Sequence, residues 1–267
     1  MSFVLLGILN SQAAAGGGAP SFLSSAPLWL DAADASTITE SSGSVSQWDN
    51  KGTLENFSQA TSADQPTTGV NTQNGLNVID FASDFLSGST KSQWKFLHDG
   101  TTYFVAGVAK FNSSSSISGL LGNNNTSTSN IGFTHFHDDR SSEESSEWIV
   151  TNAAGGGPGI VTQIDNGGDM SPDVFVITSA ILDPDNATLA DRIDYYIDNV
   201  QGSVTNTASG TASLSDPTFN LEIGSTGNQL SFMNGSIGEL IIVSGADATE
   251  TNRQAVVDYL NAKWSVF

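Results

Sequence analysis

Short apolar runs that alternate with polar residues, cut every few positions by Asn, Gly or Ser, constrain this chain more than any other feature. Alternation is clearest at Ile193, Tyr195 and Ile197, with Asp194, Tyr196 and Asp198 on the other side. It recurs at Phe219, Leu221 and Ile223 against Asn220 and Glu222. A period of two lets an extended segment bury one face and wet the other, which a helix cannot do with the same pattern. Further strands are predicted at Leu28–Leu30, Val45–Trp48, Asn77–Phe81, Tyr103–Phe111, Ile131–Phe136, Ile160–Ile164, Val174–Leu182 and Ile237–Val243. Asn74-Gly75, Gly155–Gly159, Asn166-Gly167 and Asn234-Gly235 separate them, because Asn and Gly tolerate positive φ. Regular short strands with such turns predict an all-β sandwich or barrel over residues 28–267, behind a segment of residues 1–27. No period of 20–50 residues repeats, which disfavours solenoids and propellers.

One helix is predicted, at the end of the sequence. Asp247 or Thr249 can cap it, and Val256, Tyr259/Leu260 and Lys263/Trp264 recur at three- and four-residue steps. Val256, Leu260 and Trp264 would then lie against a sheet, with Gln254, Asp258 and Asn261 wet.

Charge narrows the partners. With 8 Lys+Arg against 28 Asp+Glu in 267 residues, the formal net charge is −20. Too few cations exist to neutralise a run of phosphates, which argues against nucleic acid, and the same deficit argues against an anionic membrane surface. The longest apolar run falls far short of the roughly 20 residues of a spanning helix. Cysteine is absent, so disulfides, thiolate metal sites and cysteine nucleophiles are excluded. Ser, Thr and Asn make up nearly a third of the chain, a skin rich in hydrogen-bonding groups and poor in charges to pair.

The first twenty residues read as an apolar stretch, Phe3–Leu9, followed by an Ala/Gly tract. A secretory signal with an Ala-x-Ala site near Ala13–Ala15 is one reading, but no Lys or Arg precedes the apolar core. Packing back onto its own domain is another. The favoured expectation is that Phe3, Val4, Leu5, Leu6, Ile8 and Leu9 dock on a neighbouring chain as a strand or plug.

Three segments resemble a known family. Leu28-Trp29-Leu30-Asp31-Ala32-Ala33-Asp34, followed by Val45-Ser46-Gln47-Trp48-Asp49-Asn50-Lys51-Gly52, is similar to the opening of laminin-G-like, concanavalin-A-like jelly-roll domains. Ile237-Gly238-Glu239-Leu240-Ile241-Ile242-Val243, Arg253-Gln254 and Asp258-Tyr259-Leu260-Asn261-Ala262-Lys263-Trp264 resemble the same family's last strand and helix. Ile193–Asn199 resembles its strand-plus-turn, with Asn199 where Gly is usual. The resemblance implies a jelly-roll β-sandwich with one C-terminal helix over roughly Leu28–Trp264. It does not choose among lectins, glycosidases, adhesins and viral surface proteins. The apolar then Ala/Gly opening is similar to those of bacteriophage virion proteins.

Candidate chemistry is sparse. A retaining glycosidase needs two carboxylates about 5–5.5 Å apart. Related glucanases carry them in a Glu-x-Asp-x-x-Glu run, which is missing here. Glu143, Glu144 and Glu147 form the nearest acidic cluster, in a Ser-rich stretch that reads as a solvated loop. His135 and His137 share one face of a predicted strand and could hold a transition metal with Asp138 and Asp139, although two such histidines are more often surface neighbours. Calcium has candidate oxygens at Asp138, Asp139, Asp165, Asp169 and the Asp183-Pro184-Asp185-Asn186 turn, but no Asp-x-Asp-x-Asp-Gly loop. Trp29, Trp48 and Trp264 fall in fold-defining segments, whereas Trp94 and Trp148 lie nearer loops and are candidates to stack on a glycan, with His135 and His137 beside them.

The expectation is therefore a jelly-roll sandwich with no catalytic apparatus and no obligatory cofactor. It would be a structural protein on a bacteriophage particle, in capsid decoration or a tail appendage. Its partners would be other virion proteins through the N-terminal arm, further copies of itself, and host-surface glycan. A secreted carbohydrate-binding module and, behind it, a glycoside hydrolase are the alternatives.

Overall fold

A computed structural model describes residues 18–112, 116–127, 129–140, 145–152, 159–164, 172–203, 206 and 208–267. The first nine strands are β1 (Leu28–Asp31), β2 (Ile38–Ser41), β3 (Ser44–Trp48), β4 (Phe57–Ser58), β5 (Thr67–Gln73), β6 (Leu76–Ala82), β7 (Leu86–Ser87), β8 (Tyr103–Phe111) and β9 (Ile117–Gly122). They are followed by β10 (Ile131–Asp138), β11 (Ser145–Asn152), β12 (Val161–Ile164), β13 (Phe175–Leu182), β14 (Ile193–Ile197), β15 (Val200–Gln201), β16 (Glu222–Ile223) and β17 (Asn234–Ser244). One α-helix, α1 (Glu250–Trp264), closes the chain, and Thr249 caps it by accepting a hydrogen bond from the Asn252 amide.

All the pairings are antiparallel, and they build two layers. The first runs β2-β3-β4-β7-β16-β9-β10-β11-β12. The second runs β5-β6-β17-β8-β13-β14-β15, with β1 beside β6 along the same edge of β17. Ser44 pairs with Thr67, so hydrogen bonding passes from one layer to the other at that edge. Between the layers lie Trp48, Phe57, Leu86, Phe133 and Trp148 from the first and Leu30, Tyr103, Val105, Tyr195 and Leu240 from the second. This is a face-to-face sandwich whose core is made of the inward half of each alternating strand.

The second layer is apolar on its far side too. Phe104, Ala106 and Val108 of β8 and Ile241 of β17 meet Val256, Val257, Leu260 and Trp264 of α1. Leu23 and Ala26 are buried in that same cluster, with Ala19 and Phe22 packed against it. The packed domain thus begins before Leu28, and residues 18–27 are part of it rather than of a free arm. Phe3–Leu9 lie outside the described residues.

The residues behind the family resemblance converge on one buried carboxylate. Glu239 is fully buried. Its Oε1 accepts from Trp29 Nε1 at 2.7 Å and Tyr259 Oη at 2.9 Å, and its Oε2 accepts from Lys263 Nζ at 2.7 Å and Trp264 Nε1 at 2.8 Å. Lys263 also bridges to Asp31 at 2.6 Å, and Lys51 ties Asp31 to Asp34 at 3.0 Å each. The register of β17 against β8 slips between Ile237 and Glu239, and a Cβ on the intervening Gly238 would press on the Trp264 ring at 3.0 Å. Strand, bulge and helix are pinned together there, so these motif residues hold the fold.

Candidate functional site

In-register residues of neighbouring antiparallel strands share a face, so the pairings of the first layer define two transverse rows. Ile223, Leu121, His135 and Trp148 lie on the inner face. Gln47, Ser58, Ser87, Glu222, Gly122, Thr134 and Ile149 lie on the outer face, away from the core. The outer row is polar over most of its length, and its β4–β7–β16 part opens into a cleft of about 380 Å³.

The hydroxyls of Ser58 and Ser87, the amides of Gln59, Asn220, Asn228 and Gln229, the rings of Phe85 and Phe219 and the carboxylate of Glu222 line this cleft. Phe85 is backed by Phe232, with ring centroids 5.9 Å apart. Gln59 Oε1 accepts the Thr61 amide at 3.0 Å, which orients the side chain with Nε2 as its remaining donor. Glu222 Oε2 accepts from Ser225 Oγ at 2.7 Å and from the Gln229 amide at 2.9 Å. Both bonds fall on one oxygen, so Oε1 carries no protein hydrogen bond among the described residues. Burial pushes the Glu222 carboxyl above the usual carboxylate range, against the lowering effect of those two bonds.

One wall of the cleft is a turn that runs over β9. Gly227, Asn228 and Gln229 follow one another at φ of 105°, 56° and 55°. Non-glycine residues in that region carry roughly 1–2 kcal/mol of strain each, so something must hold them. Ser225 Oγ donates to Glu222 and accepts from the Gly227 amide at 3.0 Å, while Thr226 Oγ1 donates to the Leu230 carbonyl at 2.9 Å. A Cβ on Gly122 would sit 2.5 Å from the Thr226 carbonyl oxygen, so only glycine lets the turn lie this close to the sheet. Glu222 thereby anchors the wall and faces the cleft at once.

A second polar group lies further along the outer face. Asp138 and Glu147 are both buried, and their side chains share a hydrogen bond. Arg140 chelates Asp138 through Nε at 2.8 Å and Nη2 at 2.5 Å and holds its carboxyl low, aided by the bond from Glu147. Burial first, and then the Asp138 charge, push Glu147 up to about 7. The expected solvated loop is corrected here: Glu147 stands on β11, half its neighbours Ser by sequence but its carboxyl taken from water. Glu143 and Glu144 lie outside the described residues.

The sequence-predicted sites fare differently. His135 and His137 do share a face, but it is the inner one, and both are fully buried. His135 stacks on Trp148 with ring centroids 3.5 Å apart and contacts Ser146 Oγ at 3.1 Å, and His137 lies 5.1 Å from the Phe111 ring. Burial takes His135 down to about 3, so it sits in the core as a neutral ring. Neither histidine is a surface neighbour or reaches a glycan. Trp94 and Trp148 are fully buried as well: Trp94 packs on Phe57 and donates to Glu55 at 2.9 Å, so neither indole offers a stacking face.

For metals, no group of three or more His, Cys, Asp or Glu side chains that could hold an ion occurs among the described residues. Asp138 is engaged by Arg140, and Asp183 closes its own turn by accepting from Asn186 Nδ2 at 3.2 Å. Asp165 and Asp169 lie outside the described residues.

The cleft itself was missed, although Asn220 and Glu222 stood on the wet side of a predicted strand. Only Glu222–Ile223 of that segment is strand, and Phe219 leaves the core to line the cleft. Strands β4 and β7 are two residues long, too short for any alternation to show.

No protein-family model and no curated protein matches the chain. Among solved structures, a Trypanosoma rangeli sialidase is 13% identical, with a TM-score of 0.51 over 88% of this chain and 32% of that one. The botulinum neurotoxin serotype D binding domain is 13% identical, with a TM-score of 0.49 over 88% and 51%. The Ruminococcus gnavus IT-sialidase CBM40 bound to α2,3-sialyllactose is 16% identical, with a TM-score of 0.43 over 61% and 84%. This chain thus spans about a third of the sialidase's length. At such identity the likeness is one of fold alone, an antiparallel β-sandwich with, among the described residues, a single C-terminal α-helix. No helix among the described residues is long and apolar enough to cross a membrane.

Proposed function

We propose that the chain is a non-catalytic carbohydrate-binding sandwich whose outer-face cleft holds a sugar. The observation that carries this reading is the cleft lining: hydroxyls and amides that both donate and accept, beside two phenyl rings. Sugar hydroxyls need such two-way partners, and sugar C–H faces need an apolar surface. Catalysis is disfavoured by the carboxylates. Among the described residues Glu222 is the single carboxyl in the cleft. Asp138 is chelated by Arg140, so it is not a free carboxylate poised against a sugar.

Calorimetric titration with a panel of oligosaccharides tests the reading. Saturable binding is expected, and Asn228→Ala with Gln229→Ala should weaken it at least tenfold while the thermal midpoint moves by no more than a few degrees. If no member of the panel binds, or if the double variant binds as well as the parent, the cleft is not the site.

The finer reading, supported by the sequence resemblance, sets this sandwich on a bacteriophage particle in several copies, outside any cell, with Phe3–Leu9 docked on a neighbour. Many copies would add the avidity that one shallow cleft lacks. Removing residues 1–17 should then abolish incorporation into particles and lower the oligomeric state measured by light scattering. Unchanged assembly would remove that role. Adding calcium or a chelator to the same titrations decides whether the ion contributes.

A further inference from the structure

We infer that the cleft selects uncharged sugars and rejects those that carry a carboxylate, an inference that rests on the cleft being a glycan site. The argument starts from the cations. The chain has eight, and a charge-assisted bond to one of them is the strong partner that an acidic sugar's carboxylate would seek.

Five are committed to the fold. Lys51 and Lys263 belong to the cluster around Asp31 and Glu239. Arg253 is fully buried over the Tyr196 ring and paired with Glu250, and Arg140 is paired with Asp138. Arg192 is buried with its donors on the carbonyls of Asn186, Ile160 and Gly210. Of the remaining three, Lys110 lies over the Phe175 ring, and Lys95 stands on the short helix Lys91–Leu97. Lys91 comes nearest, because its Nζ donates at 3.3 Å to the carbonyl of Thr218, the residue before Phe219. None of the eight lines the cleft.

What lines it instead is Glu222, with an oxygen that no protein donor occupies among the described residues. A ligand carboxylate would meet a like charge inside a chain of net charge −20. A sugar hydroxyl or acetamide N–H would find in Glu222 an acceptor, and in Gln59, Asn228 and Gln229 donors and acceptors placed for groups that need both. One side-chain constellation therefore attracts the neutral ligand and repels the acidic one, which is how selectivity is built from a repulsive element as well as an attractive one.

The test sets neutral against acidic probes on the full chain: lactose, cellotriose and chitotriose against 3′-sialyllactose and trigalacturonate. At least one neutral probe should bind, its affinity should change less than twofold between 50 and 500 mM NaCl, and both acidic probes should bind at least tenfold more weakly. Glu222→Gln should narrow that gap by strengthening the acidic probes. Lys91→Ala, outside the cleft, should leave neutral binding unchanged. Tighter binding of an acidic probe, or acidic binding that falls with salt and is lost in Lys91→Ala, overturns the inference while leaving a glycan site in place. Absence of binding to all five overturns the site as well. If Glu222→Gln fails to fold, the salt series on the parent chain decides alone.

Discussion

Two buried glutamates of this molecule sit in opposite electrostatic company. Glu239 receives four donors, two indoles, a phenol and an ammonium, from β1 and α1. Glu147 meets another carboxyl, and its share of a cation comes only through Arg140, whose side chain is 57% exposed. A carboxylate saturated with donors is a fastening between elements. One left short of donors keeps its proton toward neutral pH and can respond to the medium. Burial alone separates nothing here; the count of donors does.

The comparison breaks first at Glu239. Glu239→Ala strips four donors of their acceptor and leaves Lys263 with Asp31 alone, so a loss of about 3–5 kcal/mol is expected. At about 2–4 °C per kcal/mol for a chain of this size, the thermal midpoint should fall by roughly 10 °C or more. A midpoint within a couple of degrees of the parent would mean that the cluster fastens nothing.

Glu147 should reveal itself through pH instead. Its folded value near 7 lies above the ordinary 4.5, so the folded state holds an extra proton between those limits. The associated stability is full below pH 4.5 and is lost as pH rises through 7, by at most about 3 kcal/mol. His135 runs the other way: its folded value near 3 lies below 6.5, so stability falls as pH drops from 6.5 toward 3. Glu147→Gln isolates the first effect. Chemical denaturation of parent and variant at pH 4.5, 5.5, 6.5 and 7.5 should show the parent losing ground steadily to the variant. Parallel pH curves would place Glu147 in ordinary solvent contact.

Glu222 stands between these extremes, with two donors on one oxygen. Glu222→Gln keeps an acceptor for the Gln229 amide and Ser225, so a stability change of about 1 kcal/mol is expected, read by the same unfolding experiment. Its larger effect should fall on ligand choice in the cleft. A loss of several kcal/mol would class Glu222 with Glu239 as a fastening.

The strands and helix that carry the fastening were legible in sequence and the cleft was not, for a physical reason. Trp29, Asp31, Glu239, Tyr259, Lys263 and Trp264 sit in segments with regular patterning, β1, β17 and α1, where a few residues of context define an element. The predicted strands Tyr103–Phe111 and Ile193–Ile197 match β8 and β14 residue for residue, because eight or nine apolar positions or a strict alternation leave no other choice. The cleft draws on Ser58 and Ser87 from strands two residues long and on Asn228 and Gln229 from a turn of left-handed residues. Only the register of β4, β7 and β16 brings them together. Trp94, Trp148, His135 and His137 attracted attention as chemically rich side chains, yet richness in ring surface is also what fills a core.

The smallest expected effect, at Arg140, sharpens the comparison most when it is set beside the loss of a cation from the other region. Lys263 and Arg140 each pair with a buried carboxylate, at 2.7 and 2.5 Å. Lys263 is itself four-fifths buried, and Lys263→Met leaves two carboxylates, Asp31 and Glu239, facing each other with one cation fewer. That loss should approach the Glu239→Ala figure and change little with salt, because buried pairs are poorly screened. Arg140→Gln removes an exposed partner, for which about 0.2–1 kcal/mol is the ordinary scale, and the difference from the parent should shrink between 50 and 500 mM NaCl. It should also raise the apparent pKa of Glu147, because Arg140 is the charge that lowers it. Equal, salt-insensitive losses in the two variants would make Asp138 and Glu147 a second fastening and erase the distinction. A small, screened loss with a higher Glu147 midpoint would leave the carboxyl pair as a place on the outer face where protonation near neutral pH changes the charge with little effect on the fold.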